Sequence, residues 1–459
     1  MVIMALLLAL VMTVWVGYMI VKKYKPQPVL FFGGMVLMAG AVMLGVGTIL
    51  PAKEATGFVP FDMFEFIRKT LSSRAAGLGL SIMAVGGFAR YMEHIGASRV
   101  LVKIAIKPLG VLKAPYVVLA AAFIIGQFLG LFINSASGLG MLLLVTMFPI
   151  LVSLGVSRVS ATAVIGTTMC LDWSPADTGS ILSATTAGLD ITTYWTQYQI
   201  PVALCVMAVV AVLHYTVQKW LDKKEGHTAE SASLLSSARQ EEEKPLPPLY
   251  YAILPTVPLA LILVFSDLLI KGVKMDIVKA MLISLFVTMV IEYLRSWDGK
   301  KVFQDIQVFF DGMGMQLANV VTLIVAGETF AHGLRTVGAI DAIINGAQSS
   351  GMGAAGMIIV MVGIIAVSSV VMGSGNAPFF AFASLTPVLA AKMSVAPVLM
   401  LLPMHFAASI ARAVSPITAV IVVVSGMANL PPVEVVKRTA IPMAGALIVN
   451  VAATFLLFY

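Results

Sequence analysis

Charge is what this chain has least of: 11% of its 459 residues are Asp, Glu, Lys or Arg, while 59% are hydrophobic. A soluble globular domain keeps about a quarter of its residues charged, so a water-soluble fold is excluded. Cysteine is almost missing. Cys170 and Cys205 are the two present, both lie in apolar stretches, and no metal or redox spacing links them, so they read as packing residues. The five histidines are scattered and no His-Glu-x-x-His run occurs, so an enzyme is not expected. Alternating strand-length segments are lacking too, which favours helices over a barrel. The first apolar run has no basic region ahead of it and no small-residue cleavage site behind it. Lys22-Lys23-Tyr24-Lys25 follows instead, which predicts a retained first span ending in the cytoplasm. The formal charge of +7 sits in short clusters between apolar runs, so it reads as topology and not as affinity for nucleic acid.

What is present is a series of apolar runs long enough for a bilayer, which needs roughly 20 residues per helix. They lie near 2–21, 28–50, 76–95, 115–133, 139–154, 158–181 and 197–218. After a polar stretch, 219–249, they resume near 250–270, 277–295, 314–335, 354–372, 379–392, 396–424 and 441–458. The order of pieces repeats, and residues match with it. Phe88-Ala89 and Gly96-Ala97 recur as Phe330-Ala331 and Gly338-Ala339, and Asn134 falls on Asn376, all offset by 242. Pro149 matches Pro387 at 238, and Ser174-Pro175 matches Ser415-Pro416 at 241.

Basic residues then set the orientation. Arg90, Arg99, Lys103, Lys107 and Lys113 follow the third run, and Arg295, Lys300, Lys301, Lys437 and Arg438 belong on the same, cytoplasmic side. These placements agree only if 115–154 enters and leaves from the cytoplasm. A plain bundle of full spans would break the pattern. The expected architecture is therefore an all-α polytopic membrane protein of two inverted repeats, 1–218 and 250–459, joined by a cytoplasmic linker at 219–249. Each repeat has five spans, one re-entrant hairpin (115–154 and 354–392) and one discontinuous span (158–181 and 396–424), with both termini periplasmic. Segments 61–73 and 301–312 mix charge with aromatics and are expected to lie at the membrane surface as connecting arms.

Small and polar residues interrupt the apolar runs at four places: 134–138, 172–178, 373–378 and 412–418. Serine favours a helix N-cap and proline the first helical position, so Ser174-Pro175 and Ser415-Pro416 are each expected to restart a helix, and Asn376-Ala377-Pro378 to do the same. Helix N-termini favour anions, while the exposed carbonyls of the preceding half-helices suit a cation. Arg412 interrupts a span, and its planar fork matches a carboxylate. The alternative for it is a structural ion pair with Asp172 or Asp177. Those aspartates are also candidates for coupling to a cation or proton. Local pairing is expected for Glu328 with His332 and for Arg90 with Glu93 or His94. His405 reads as a buried packing or hydrogen-bonding residue.

At these residues the chain resembles the DcuC/DcuD family of anaerobic C4-dicarboxylate carriers, within the ion transporter superfamily. The similarity runs nearly end to end and is carried by Ser135-Ala136-Ser137-Gly138-Leu139-Gly140, Val371-Met372-Gly373-Ser374-Gly375-Asn376-Ala377-Pro378, Arg412-Ala413-Val414-Ser415-Pro416 and Val435-Val436-Lys437-Arg438-Thr439. The wording resembles the DcuD branch more closely. The resemblance implies an elevator-type homodimer in the bacterial inner membrane that moves succinate, fumarate or malate by symport, efflux or exchange, without a cofactor. The dianion would sit between the hairpin tips, with one carboxylate on Arg412. Asn134, Ser135, Ser137, Ser374, Gly375, Asn376, Ser415 and Thr418 would supply neutral contacts. The tips lack the threonine of the superfamily's Ser-Asn-Thr pattern, so both Na+ and H+ stay open as coupling ions. The competing reading is a cation/proton antiporter working through Asp172 and Asp177.

Overall fold

The computed structural model describes residues 1–227, 246–266, 269–270, 272–273, 275–349 and 353–459. Among them all regular structure is helical, as the unbroken apolar runs require. Most of the expected linker, 228–245, lies outside the described residues. On its near side the helix Ile200–Lys224 continues to Lys224.

Among the described residues eight helices are long and apolar enough to cross a membrane: Val2–Ile20, Pro26–Met43, Val59–His94, Ile191–Lys224, Ile277–Ser296, Gly299–Thr336, Ala354–Met372 and Pro432–Phe458. Their outer faces carry large apolar side chains. Ile3, Leu10, Phe286, Val367, Ile448 and Leu456 are each more than 60% exposed. Such a belt is tolerable only against lipid, so the chain is a multi-pass membrane protein.

Two elements differ from expectation. The charged segments at 61–73 and 301–312 are not separate surface arms. Val59–His94 and Gly299–Thr336 run as long helices of 36 and 38 residues, so each charged segment begins the span that follows it. Gly77 and Gly79 fall within the first junction, yet the helix is not broken there. A π-helical turn at Ala75–Gly79 and another at Leu317–Val321 carry the chain through, and these turns stand 242 residues apart. The local ion pairs also fail to form. Glu328 meets Arg74 at 2.7 Å, linking the two long helices. His332 Nε2 lies 2.8 Å from the Ile49 carbonyl, and its ring stacks on Phe66. His94 pairs with Asp305 at 2.9 Å, and Arg90 lies beside Met315.

Four helices, Ala354–Met372 among them, make two helix–turn–helix units. Pro115–Leu129 turns into Ala136–Thr146, and Ala354–Met372 turns into Asn376–Ala383. The spans after them are split: Arg158–Gly166 stops before Thr178–Ala187, and Val398–Arg412 stops before Ala419–Met427. Backbone contact without side chains holds the frame together. A Cβ on Gly34 would stand 2.6 Å from the Thr329 carbonyl oxygen, and one on Gly333 would stand 2.8 Å from the Gly34 carbonyl oxygen. Here Pro26–Met43 packs directly on Thr322–Thr336, the small-residue mode of helix association in membranes.

A buried polar cluster ties the last helices of the two halves. Arg438, 3% exposed, donates to Asp222, 1% exposed, at 2.8 Å and to Glu225 at 2.5 Å. Asp222 also accepts from the Ser157 and Ser160 hydroxyls and from Tyr116. Removing one member of such a buried pair strands the other charge and costs about 3–5 kcal/mol, whereas an exposed partner contributes about 1 kcal/mol or less. Asp222→Ala is therefore expected to lower the thermal unfolding midpoint in detergent well beyond Glu225→Ala, since Glu225 is 59% exposed. Equal shifts for the two variants would contradict this assignment.

Candidate functional site

The two turn units and the two split helices meet around a cavity of about 580 Å³. Its wall contains Asn134, Ser135, Asn376 and Arg412, together with Asp172 and Asp177. The same wall includes Arg90, Glu93, Gln316 and Asn319, from the two long helices. Five expected contacts are placed off the wall. Ser137 and Ser374 are half-buried, and Gly375 presses against the Ala408 backbone. Ser415 is fully buried, its hydroxyl without a partner among the described residues. Thr418 bonds the Arg412 carbonyl at 2.6 Å.

The breaks are real but sit differently from the Ser-Pro expectation. The first split helix restarts at Thr178, capped by Asp177, whose carboxylate accepts from the Gly179 and Ser180 amides at 2.7 and 3.2 Å. The second restarts at Ala419, after Thr418. A carboxylate at the N-cap outcompetes the upstream hydroxyl, because it adds charge to the hydrogen bonds. Ser174 instead donates to the Leu131 carbonyl at 2.9 Å. In the turn units, Ser135 caps Ala136–Thr146 by accepting from the Gly138 amide at 3.1 Å. Asn376–Ala383 follows Gly375 and has no side-chain cap, so its first amides stay available.

An unwound stretch inside an apolar protein must satisfy its backbone groups. Side chains from neighbouring helices do so at the first break. Gln127 donates to the Thr167 carbonyl at 3.0 Å, Gln199 to that of Asp172 at 3.1 Å, and the Trp195 indole to that of Trp173 at 2.8 Å. At the second break Thr439 bonds the Ala413 carbonyl at 2.9 Å.

The two breaks are joined by charge. Arg412 ends Val398–Arg412 and donates through Nη2 to Asp172 at 2.6 Å and to the Met169 carbonyl at 3.1 Å. Arg412 is thus held as an ion pair in this structure, the alternative raised by its sequence. Beside it, His405 Nε2 lies 3.2 Å from Asp177 Oδ2. Gly179 permits that approach, because a Cβ there would fall 2.2 Å from His405 Nε2. Ligand atoms of Asp172, Asp177 and His405 all lie within 4.8 Å of one another, a donor set able to hold a cation or share a proton. His405 is buried and hydrogen-bonds Asp177, as expected, and stands within this donor set as well. Gln316 and Asn319 were also missed, although two polar side chains in an apolar run were the available signal. Cys170, buried as expected, accepts from Gln127, whereas Cys205 is exposed.

Comparison with known proteins identifies the family and the fold. The family model described as "DcuC: C4-dicarboxylate anaerobic carrier" matches residues 4–459. A probable anaerobic C4-dicarboxylate transporter DcuC of Vibrio cholerae is 36% identical over 453 residues, covering 98% of this chain and 97% of its relative. The anaerobic C4-dicarboxylate transporter DcuC of Escherichia coli K12 is 34% identical over 452 residues, covering 98% and 96%. Two solved transporters share the fold at 14% identity. They are YdaH of Alcanivorax borkumensis, with a TM-score of 0.61 over 95% of this chain and 98% of that one, and MtrF of Neisseria gonorrhoeae, with 0.62 over 94% of each. The family and its named relatives are carriers, which bears out the expectation against an enzyme and disfavours the cation/proton antiporter reading. The chain belongs to the DcuC family of C4-dicarboxylate anaerobic carriers.

Proposed function

We propose that this protein carries C4-dicarboxylates such as succinate, fumarate and malate across the bacterial inner membrane, by an elevator motion of two inverted repeats in a homodimer. The observation that carries the reading is the shared cavity wall, where both turn-unit tips and Arg412 of the second break present anion-binding groups around one space, with Asp172 and Asp177 of the first break beside them. One carboxylate of the substrate takes Arg412, and Asn134, Ser135 and Asn376 at the turn-unit tips supply neutral contacts to the dianion. Ser137, Ser374, Gly375, Ser415 and Thr418 support these groups from behind.

The inverted duplication is supported by structural landmarks that share the sequence offset. Leu80–His94 and Thr322–Thr336 are 242 residues apart at both ends, as are Gly96 and Gly338, both with positive φ. The caps Asp177 and Thr418 are 241 apart. The two turn units then act as re-entrant hairpins entering from opposite sides, with both termini periplasmic and the linker cytoplasmic.

Coupling follows from the charges. Arg90 and Arg412 face Glu93, Asp172 and Asp177 in the cavity, a formal balance of one negative charge. A dianion added to that wall needs compensating cations, because charge of one sign is costly in a low-dielectric site. The substrate carboxylate displaces Asp172 from Arg412, and Asp172, beside Asp177 and His405, then takes up a proton or Na+.

Two measurements in proteoliposomes test this. Arg412→Lys replaces a bidentate fork by a point charge and is expected to raise the KM for succinate about 10-fold. Succinate transport equal to the parent's would show that the arginine does not hold the substrate. Asp172→Asn is expected to keep succinate counterflow while cutting uptake driven by imposed proton or sodium gradients about 10-fold. Gradient-driven uptake at the parental rate would remove Asp172 from the coupling.

A further inference from the structure

A dianion has two charged ends, yet the helix breaks offer it a single arginine, and Asp172 already occupies that one. The cavity wall contains a second guanidinium. Arg90 lies near the end of Leu80–His94, on the long helices that face the breaks across the cavity. Among the described residues it has no carboxylate partner, and its polar neighbour is the Met315 sulfur, 2.7 Å from Nη1. Among the described residues no ion pair joins it to Glu93, one turn further along. That carboxylate leans toward the first tip, where a Cβ on Gly138 would stand 3.7 Å from Oε1. The backbone holds Arg90 in place, because Gly87 and Gly312 bring its helix against Gln307–Gln316. A Cβ on Gly312 would lie 2.8 Å from the Gly87 Cα and 3.3 Å from the Arg90 Cβ.

An arginine without a counter-ion, lining a cavity in an apolar protein, is costly unless an anion visits it. We infer that Arg90 is the second carboxylate anchor, so that a bound dicarboxylate bridges Arg412 on one wall and Arg90 on the other. Arg90 then sets the preference for dicarboxylates over monocarboxylates. Gln316 and Asn319, on the same wall, supply neutral hydrogen bonds beside it. The competing role for Arg90 is a topological anchor at the cytoplasmic end of its span. An anchor governs insertion, not affinity, so the two roles separate in a kinetic measurement.

The inference rests on the dicarboxylate reading, and the test keeps the two apart. The full chain is reconstituted as parent, Arg90→Gln and Arg90→Lys. Succinate exchange is measured for each, with butyrate as a four-carbon monocarboxylate inhibitor. Arg90→Gln is expected to raise the succinate KM about 10-fold or more at a near-parental maximal rate. Arg90→Lys is expected to fall between, and inhibition by butyrate to stay unchanged in both, because butyrate needs Arg412 alone. An unchanged succinate KM, or a lost maximal rate at parental KM, overturns the assignment. So does an equal loss of succinate and butyrate affinity. Should Arg90→Gln fail to elute as folded protein, Arg90→Lys decides alone, since a parental KM there overturns the bidentate anchor. If the parent exchanges no dicarboxylate, the transport reading fails and this inference falls with it.

Discussion

The ion pair between Arg412 and Asp172 is the interaction on which the rest of the site depends. It joins the two helix breaks across 240 residues of sequence, at 2.6 Å, where neither side chain has more than 14% of its surface exposed. An isolated guanidinium there would be prohibitively costly, and so would an isolated carboxylate. The pair lets both exist in an apolar protein, and it closes the site onto itself. Asp177 does the same at the next helix, because its carboxylate already fills the N-terminus of Thr178–Ala187. The protein's own carboxylates thus hold positions that a substrate carboxylate would take. In the proposed cycle, exchange of one anion for another is what opens the site, and the displaced aspartate is what demands a cation.

Unwinding two helices inside such a protein requires backbone partners, and the chain supplies them from elements that flank the breaks. Gln127, Gln199 and the indole of Trp195 serve the first break, while Thr418 and Thr439 serve the second. The first break is therefore embedded in side-chain donors from neighbouring helices, and the second relies on two threonines. That asymmetry parallels the division of charge, with the aspartates at one break and the arginine at the other. Between the breaks, His405 leans over Gly179 and connects the two charge systems through Asp177.

Much of this was legible in the sequence, for a simple reason. Small and polar residues stand out in apolar runs, and all four interruptions mark a turn or a break in the structure. The cap positions were not legible, because Ser174-Pro175 and Asp177 both carry N-cap signals and only the fold shows that the carboxylate prevails. The long helices were misread as arms and spans because composition changes along them while the helix does not. Partners distant in sequence were invisible: Arg74 with Glu328, His405 with Asp177, and the closing of the cavity by Gln316 and Asn319. No local pattern announces a neighbour that belongs to the other half of the chain. Arg90 was readable as a basic residue ending a span, and its place on the cavity wall emerged only when the two long helices came together.

The central claim is that a dicarboxylate occupies the space between the turn-unit tips and takes Arg412 from Asp172. The most direct measurement is an electron cryomicroscopy structure in lipid nanodiscs at saturating succinate. The account predicts density for the dianion against Ser135 and Asn376, one carboxylate on Arg412, and the Asp172 carboxylate moved away from the guanidinium. Succinate bound elsewhere, or bound in the cavity with Arg412 still paired to Asp172, would contradict it.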